Sequence, residues 1–403
     1  MKRIPATVVV LGVASFLTDL SSEMIFPLLP LFLASIGGGA LALGLIEGVA
    51  DATAAFLKIL SGRWTDRTRR RKPLVLAGYT LAGAARPLIG LAPTWTVVLG
   101  LRFVDRIGKG LRASPRDALI ADVVPLDRRG AAFGFHRMMD HGGAVLGPLV
   151  AAILLALEGV EVRHVFLLAA VPAAAALAVL IMFVREPTTK ADPADPPDEA
   201  LASVGPSALG RDFRWLMAAL FVFTLGNSTD AFLLLRLAEA GVPGTGVALL
   251  WSLHHVIKMG SSYAGGALSD LWGRRRMILL GWGFYAVVYV AFALVEAPAG
   301  LVAIFLAYGL YFGMVEPTER AWVVDMAPLR LRGTALGYYH GVVGLGALPA
   351  SLLFGSLWHR FGASAAFVVG GALAALAALL LMRVRPSGSE AVAERLMPVE
   401  DVG

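Results

Sequence analysis

An all-α membrane protein of twelve transmembrane helices is the fold class predicted by three features of this 403-residue sequence: its composition, its twelve long apolar stretches, and the side on which its basic loops fall. Hydrophobic residues make up 57% of the chain before its 45 glycines are counted, and charged residues only 16%. A soluble domain has about 45–50% apolar residues with glycine included, and about 25% charged ones. One core cannot hide so much apolar side chain from water, and the mean hydropathy of +0.73 points the same way. Soluble enzymes, coiled coils and disordered chains are therefore excluded.

The apolar stretches run approximately over 7–34, 41–62, 73–92, 95–113, 129–157, 164–184, 213–238, 245–266, 277–295, 299–318, 333–357 and 363–382. About twenty apolar residues cross a bilayer core, and the longer stretches imply tilt. Lys2, Arg3 and the run to Leu17 would suit a signal peptide. The apolar character resumes after Glu23 and eleven stretches follow, so this is the first span.

Basic residues outside the spans fall overwhelmingly on one side: Lys2 and Arg3, Arg69 to Lys72, Arg116 and Arg128, Arg274 to Arg276, Arg320 and Arg330, Arg383 and Arg385 among them. The other side holds Arg163 and Arg360. Lys and Arg accumulate in cytoplasmic loops, so both termini are expected in the cytoplasm, with the body of the protein in the inner (plasma) membrane. The same bias accounts for the net charge of +6 without a nucleic-acid partner. With no cysteine, disulfides, iron–sulfur clusters and thiolate metal sites are excluded.

Residues 186–212 are polar and rich in Pro and Ala, and read as a flexible cytoplasmic linker. Six stretches lie on each side of it. The division is then 1–185, a linker, 213–385 and a cytoplasmic tail at 386–403. The two halves match each other. Asp122 to His136 aligns with Asp325 to Tyr339 at a constant offset of 203, Gly62 and Asp66 align with Gly266 and Asp270, and Ser22-Glu23 with Thr229-Asp230. A tandem pair of six-span units is the parallel repeat of a transporter whose site lies between its halves. It predicts two six-helix bundles related by a pseudo-two-fold axis along the membrane normal.

These residues resemble the major facilitator superfamily over nearly the whole chain. The family's loop signature G-x-x-x-D-x-x-G-R-R stands at Gly266, Asp270, Gly273, Arg274 and Arg275. A first-half copy stands at Gly62 and Asp66, with Arg69 in place of the second Gly. Three further motifs resemble the drug–proton antiporter branch. G-x8-G-x3-G-P is met by Gly134, Gly143, Gly147 and Pro148; span 1 carries Pro27 and Pro30; span 4 has Arg106, Lys109 and Gly110, with Lys109 where the pattern has Gln. The resemblance implies the major facilitator fold, with Asp66 set against Gly333 at the start of span 11 and Asp270 against Gly130 at the start of span 5. It also associates the span-5 glycines with export.

Ionisable residues inside a bilayer are costly, and mark sites by default. Asp19 and Glu23 share a face of span 1, as do Glu47 and Asp51 of span 2. Arg86 lies in span 3, Arg102, Asp105, Arg106 and Lys109 on one face of span 4, and Arg137, Asp140 and His141 in span 5. The second half is sparser, with Asp230, His254, His255, Lys258 and Glu316. About half of these are expected to be structural ion pairs. For proton coupling Asp19 and Glu23 beside Arg106 come first, with Asp51 and Asp140–His141 as second choices.

The resulting expectation is a monomeric proton-coupled exporter of a small solute, using alternating access and no cofactor other than protons. One alternative is a metal or metal-chelate exporter, in which His254 and His255 would join Asp19 or Asp230. Another, of a different class, is a non-transporting membrane sensor. An enzyme is not expected, because no nucleophile with an adjacent base and no nucleotide loop is present.

Overall fold

The computed structural model describes residues 4–38, 40–186 and 209–385. Most of the linker and the whole tail lie outside the described residues. Those described form fifteen α-helices and no strand. The first half contains α1 (Ala6–Ile25), α2 (Leu29–Ser35), α3 (Ala40–Thr68), α4 (Arg71–Leu88), α5 (Trp95–Val123), α6 (Arg129–Leu155), α7 (Val162–Leu168) and α8 (Ala170–Phe183). The second half contains α9 (Gly210–Gly226), α10 (Ala231–Glu239), α11 (Gly244–Trp272), α12 (Arg274–Leu294), α13 (Pro298–Asp325), α14 (Arg332–Phe361) and α15 (Ala363–Leu381).

The first span is broken in each half. A 3-10 turn at Phe26–Leu28 separates α1 from α2. Pro27 and Pro30 fall at this turn and at the start of α2, where their missing N–H groups cannot continue the helix of α1. In the second half, residues 227–230 separate α9 from α10.

Several helix ends lie beyond the apolar stretches. Helix α9 begins at Gly210, ahead of the stretch at 213, with Arg211 and Asp212 in its first turn; an acidic residue there suits the positive helix end. Helices α3, α5 and α13 run to Thr68, Val123 and Asp325, well past the apolar stretches at 62, 113 and 318. Their last turns are too polar for a hydropathy reading, but Asp66, Arg116, Asp117, Glu319 and Arg320 there are buried, while Arg63 and Arg67 are exposed. Among the described residues, nine helical stretches could cross a membrane by length and composition. The long helices α3, α5 and α11 are not among them, because their charged and polar faces lower their hydropathy.

Large apolar side chains such as Val171, Leu249, Leu294 and Leu348 are exposed, as a lipid-facing surface requires. The second half is centred on stacked aromatics. Phe223 lies on Trp282 at 4.6 Å and Tyr285 on Tyr289 at 4.1 Å between ring centres. Between the halves, α6 packs on α11 and α3 on α14. Both crossings are made at glycines. A methyl group at Gly62 would strike the Gly333 carbonyl, and one at Gly130 would strike the Gly266 carbonyl. Backbones can come this close only where a side chain is missing.

Gly266→Val is therefore expected to pry α11 from α6. Because the chain has no cysteine, spin labels at Ala131→Cys and Leu271→Cys would report the separation directly. An unchanged distance distribution in the Gly266→Val background would show that the crossing does not depend on the glycine.

Candidate functional site

The helix ends that carry Asp66 and Asp270 are bolted together by two matching sets of contacts. Asp66 accepts hydrogen bonds from the backbone N–H of Gly333 (3.0 Å) and Thr334 (2.6 Å), the first turn of α14. Asp270 accepts them from Gly130 (2.9 Å) and Ala131 (2.7 Å), the first turn of α6. Each carboxylate thus satisfies orphan donors of a helix in the other half and faces its positive end. An arginine extends each set. Arg71 lies 3.7 Å from Asp66 and 2.6 Å from Asp122, which also pairs with Arg332. Arg274 lies 2.5 Å from Asp270 and 3.2 Å from Asp325, which also pairs with Arg129. The repeat supplies this symmetry, since Arg71, Asp122 and Arg129 match Arg274, Asp325 and Arg332 at the offset of 203.

Next to this closed end lies a buried polar network. Asp117 takes hydrogen bonds from Arg116 at 3.0 Å, meets His340 of the other half at 3.0 Å, and stands 3.7 Å from Arg320. Asp140 accepts hydrogen bonds from Arg137 and from Ser15, which itself accepts one from Arg116, and Arg137 also bridges to Glu316 in the second half. Glu319 accepts from Tyr339 at 3.0 Å and from Trp282 at 3.3 Å. Arg116 and Arg320, read from the sequence as loop residues, are buried in α5 and α13. The second half is accordingly less sparse in charge than its apolar stretches imply.

A charged cavity lies toward the opposite ends of the helices. This cavity of about 290 Å³ is lined by Asp19, Ser22, Glu23 and Phe26 from the first span, Glu47 and Asp51 of α3, Arg86 of α4, and Arg102, Arg106, Lys109 and Arg112 of α5. Seven of the twelve residues assigned from sequence to the coupling and substrate cavity meet here. The other five do not. Asp140 belongs to the buried network. His141 meets His255 edge-on at 6.0 Å across the halves. Lys258 pairs with Asp230 at 3.1 Å and lies over the Phe312 ring at 3.5 Å. His254 stacks on Phe305 and Tyr308.

Within the cavity some charges are committed. Arg86 bonds Asp105 at 2.8 Å, and Arg102 bonds Glu47 at 2.6 Å and reaches Asp105 only at 3.5 Å. The pairing of Arg102 with Asp105 inferred from their spacing is thus the longer of its two contacts. Arg106 lies 3.8 and 3.9 Å from Glu47 and Asp105 and lines the same cavity as Asp19 and Glu23, with no ion pair to either among the described residues. Asp19 and Glu23 have no ion pair among the described residues. Both are seated by the span-5 motif: Gly143 packs against the backbone of Phe16 and Leu20 and the Asp19 Cβ, and Gly147 against Glu23 and Met24.

Sequence reading passed over Arg112 within span 4, and it missed the Arg116–Asp117 pair because it ended that span at 113. The spacing that links Arg102, Asp105, Arg106 and Lys109 reaches Arg112 and Arg116 one and two turns on. The repeat offset then carries Arg116 and Asp117 onto Glu319 and Arg320, a pair of swapped charge.

Losing a side-chain cap costs about 0.5–2 kcal/mol. Asp66→Ala is expected to lower the closed-to-open ratio at this end roughly tenfold, Asp270→Ala by a similar factor, and the double variant by about the product, since the two sets share no residue. Distances between spin labels across the closed end measure the ratio; strong non-additivity would show the two sets to be one unit.

The sequence pattern of the Major Facilitator Superfamily matches residues 11–346 and, in a second match, 232–398. An MFS-type transporter of Methanocaldococcus jannaschii is 32% identical over 387 residues, covering 94% of this chain and 95% of the relative. A multi-drug resistance efflux pump of Streptococcus pneumoniae is 24% identical over 372 residues, covering 88% and 89%. Among solved structures, the human organic anion transporter MFSD10 superposes with a TM-score of 0.79 at 18% identity, covering 94% of this chain and 100% of that one. The Escherichia coli fucose:proton symporter gives 0.78 at 14%, covering 94% and 98%. With its paired signature loops and its span-5 glycines in place, this integral membrane chain belongs to the major facilitator superfamily, resembles the drug:proton antiporter branch within it, and is a transporter, not an enzyme.

Proposed function

We propose that the chain is a proton-coupled exporter of a small solute, in which residues 1–185 and 213–385 form two six-helix bundles that rock against each other. The observation that carries this reading is the pair of carboxylates, Asp19 and Glu23, without ion partners in a polar cavity beyond a closed end. Dehydration favours a neutral carboxylic acid, whereas water or a nearby cation favours the carboxylate. A site that alternates between these surroundings takes up a proton on one side and releases it on the other. The caps at Asp66 and Asp270 hold the arrangement seen here, and opening that end would break both.

The direction of transport is supported by the span-5 motif and by the efflux function named for the Streptococcus relative. Proton coupling is supported by the cavity carboxylates and by a proton symporter sharing the fold. The basic loops favour a cytoplasmic closed end with both termini on that side of the inner membrane, and the chain acts as a monomer. Metal export draws no support from the geometry. His254 is buried against aromatic rings, and among the described residues no three His, Asp or Glu side chains converge to hold an ion.

Asp19→Asn or Glu23→Gln is expected to abolish proton-driven export while leaving solute binding detectable, and Arg106→Ala to impair both. A pH jump across proteoliposomes holding each variant is the measurement. Full coupling in both carboxylate variants would move the site to Asp51 or Asp140, and coupling retained in all of them would end the antiport reading.

A further inference from the structure

The pattern of satisfied and unsatisfied charge in the cavity narrows the solute beyond this reading, on which the inference rests. Drug-sized sites are about 300–1,000 Å³ and mostly apolar, with a few polar groups for orientation. Here the volume is about 290 Å³, and among the described residues Phe26 is the only apolar side chain in the lining. A lipophilic cation finds no aromatic wall in it.

Arg86 and Arg102 are neutralised within the protein by Asp105 and Glu47. Besides Asp51 of α3 and Arg106, which stands 3.8 and 3.9 Å from Glu47 and Asp105, the remaining charge is divided between α1 and α5. Asp19 and Glu23 project from α1, and Lys109 and Arg112 from α5. Arg112 is 4% exposed, stacks on the Tyr79 ring at 4.3 Å, and keeps its Nη1 without a hydrogen-bond partner. Lys109 has neither a hydrogen bond nor an ion pair among the described residues and is exposed to the cavity. A solute with only an anionic group would satisfy Lys109 and Arg112 but face two carboxylates. A solute with only a cationic group would leave the buried guanidinium unanswered. Either omission leaves a desolvated charge unpaired, which is costly.

We propose that the transported solute is a compact zwitterion, with its anionic group on Lys109 and Arg112 and its ammonium on Asp19 and Glu23. The antiporter pattern's Gln becomes Lys109 here, and that replacement supplies half of the anion subsite. The span-5 glycines define the other subsite, since they set the depth at which α1 presents its carboxylates.

The test uses the full-length protein and the series glycine, β-alanine, 4-aminobutyrate and 6-aminohexanoate, each also as its N-acetyl derivative (anion) and methyl ester (cation), with tetraphenylphosphonium as a lipophilic cation. Melting-temperature shifts in detergent report binding, and the pH inside proteoliposomes reports coupling. At least one zwitterion is expected to bind, with its N-acetyl and ester forms roughly tenfold or more weaker. Lys109→Gln should bring the ester to within about threefold of the zwitterion, a change of preference that a misfolded variant cannot produce. Tetraphenylphosphonium or a singly charged form binding as well as every zwitterion would overturn the proposal. So would the absence of a shift with any zwitterion at millimolar concentration. Zwitterion binding without proton movement would leave the solute class standing and remove the coupling; proton movement with tetraphenylphosphonium alone would do the reverse.

Discussion

An ionised side chain at the centre of a bilayer costs about 2.5–3.5 kcal/mol on insertion scales, and this constraint governs nearly every contact described above. The chain keeps its charges away from lipid by turning them inward and pairing them. Asp117 alone engages Arg116, His340 and Arg320, and Asp140 engages Ser15 and Arg137. The exposed surface is left to residues such as Leu294 and Leu348. Helices that carry the inward charges, α3 and α5 above all, pay with low hydropathy and depend on their neighbours for stability in the membrane.

The same constraint explains why the crossings between the halves are polar at one end. Bare N–H groups at the starts of α6 and α14 would be unsatisfied donors in a packed interface. Asp270 and Asp66 satisfy them across the interface, and the glycines beneath allow the approach. A contact made of hydrogen bonds and charge, with little apolar area fixed by interlocking side chains, can be opened and remade. An interlocked aromatic core like that around Phe223, Trp282 and Tyr285 cannot, and it lies within the second half.

Against this background the unpaired groups stand out. Most inward charges are structural, as Arg86–Asp105 and Arg102–Glu47 show. Asp19, Glu23, Asp51, Lys109 and Arg112 line a cavity without such partners among the described residues, and the glycine motif of α6 holds α1 where two of them are presented. Packing and chemistry are therefore coupled: Gly143 and Gly147 matter to the site through the position of the helix they touch.

By itself the sequence determined the membrane class, the repeat and the family motifs, because composition and hydrophobic spacing are local properties and a tandem repeat is visible by alignment. It also placed Asp66 against Gly333 and Asp270 against Gly130, through the resemblance. It named Asp19, Glu23, Glu47, Asp51, Arg86, Arg106 and Lys109 together, and these seven line one cavity, since helical spacing puts each set on one face. It did not determine which charges pair. Arg106 turned toward Glu47 and Asp105, Arg102 preferred Glu47, and Asp140 joined a network with Arg116 that hydropathy had assigned to a loop. Only the tertiary structure decided these, because ion pairing depends on the rotation and depth of each helix relative to its neighbours, and a one-dimensional pattern fixes neither.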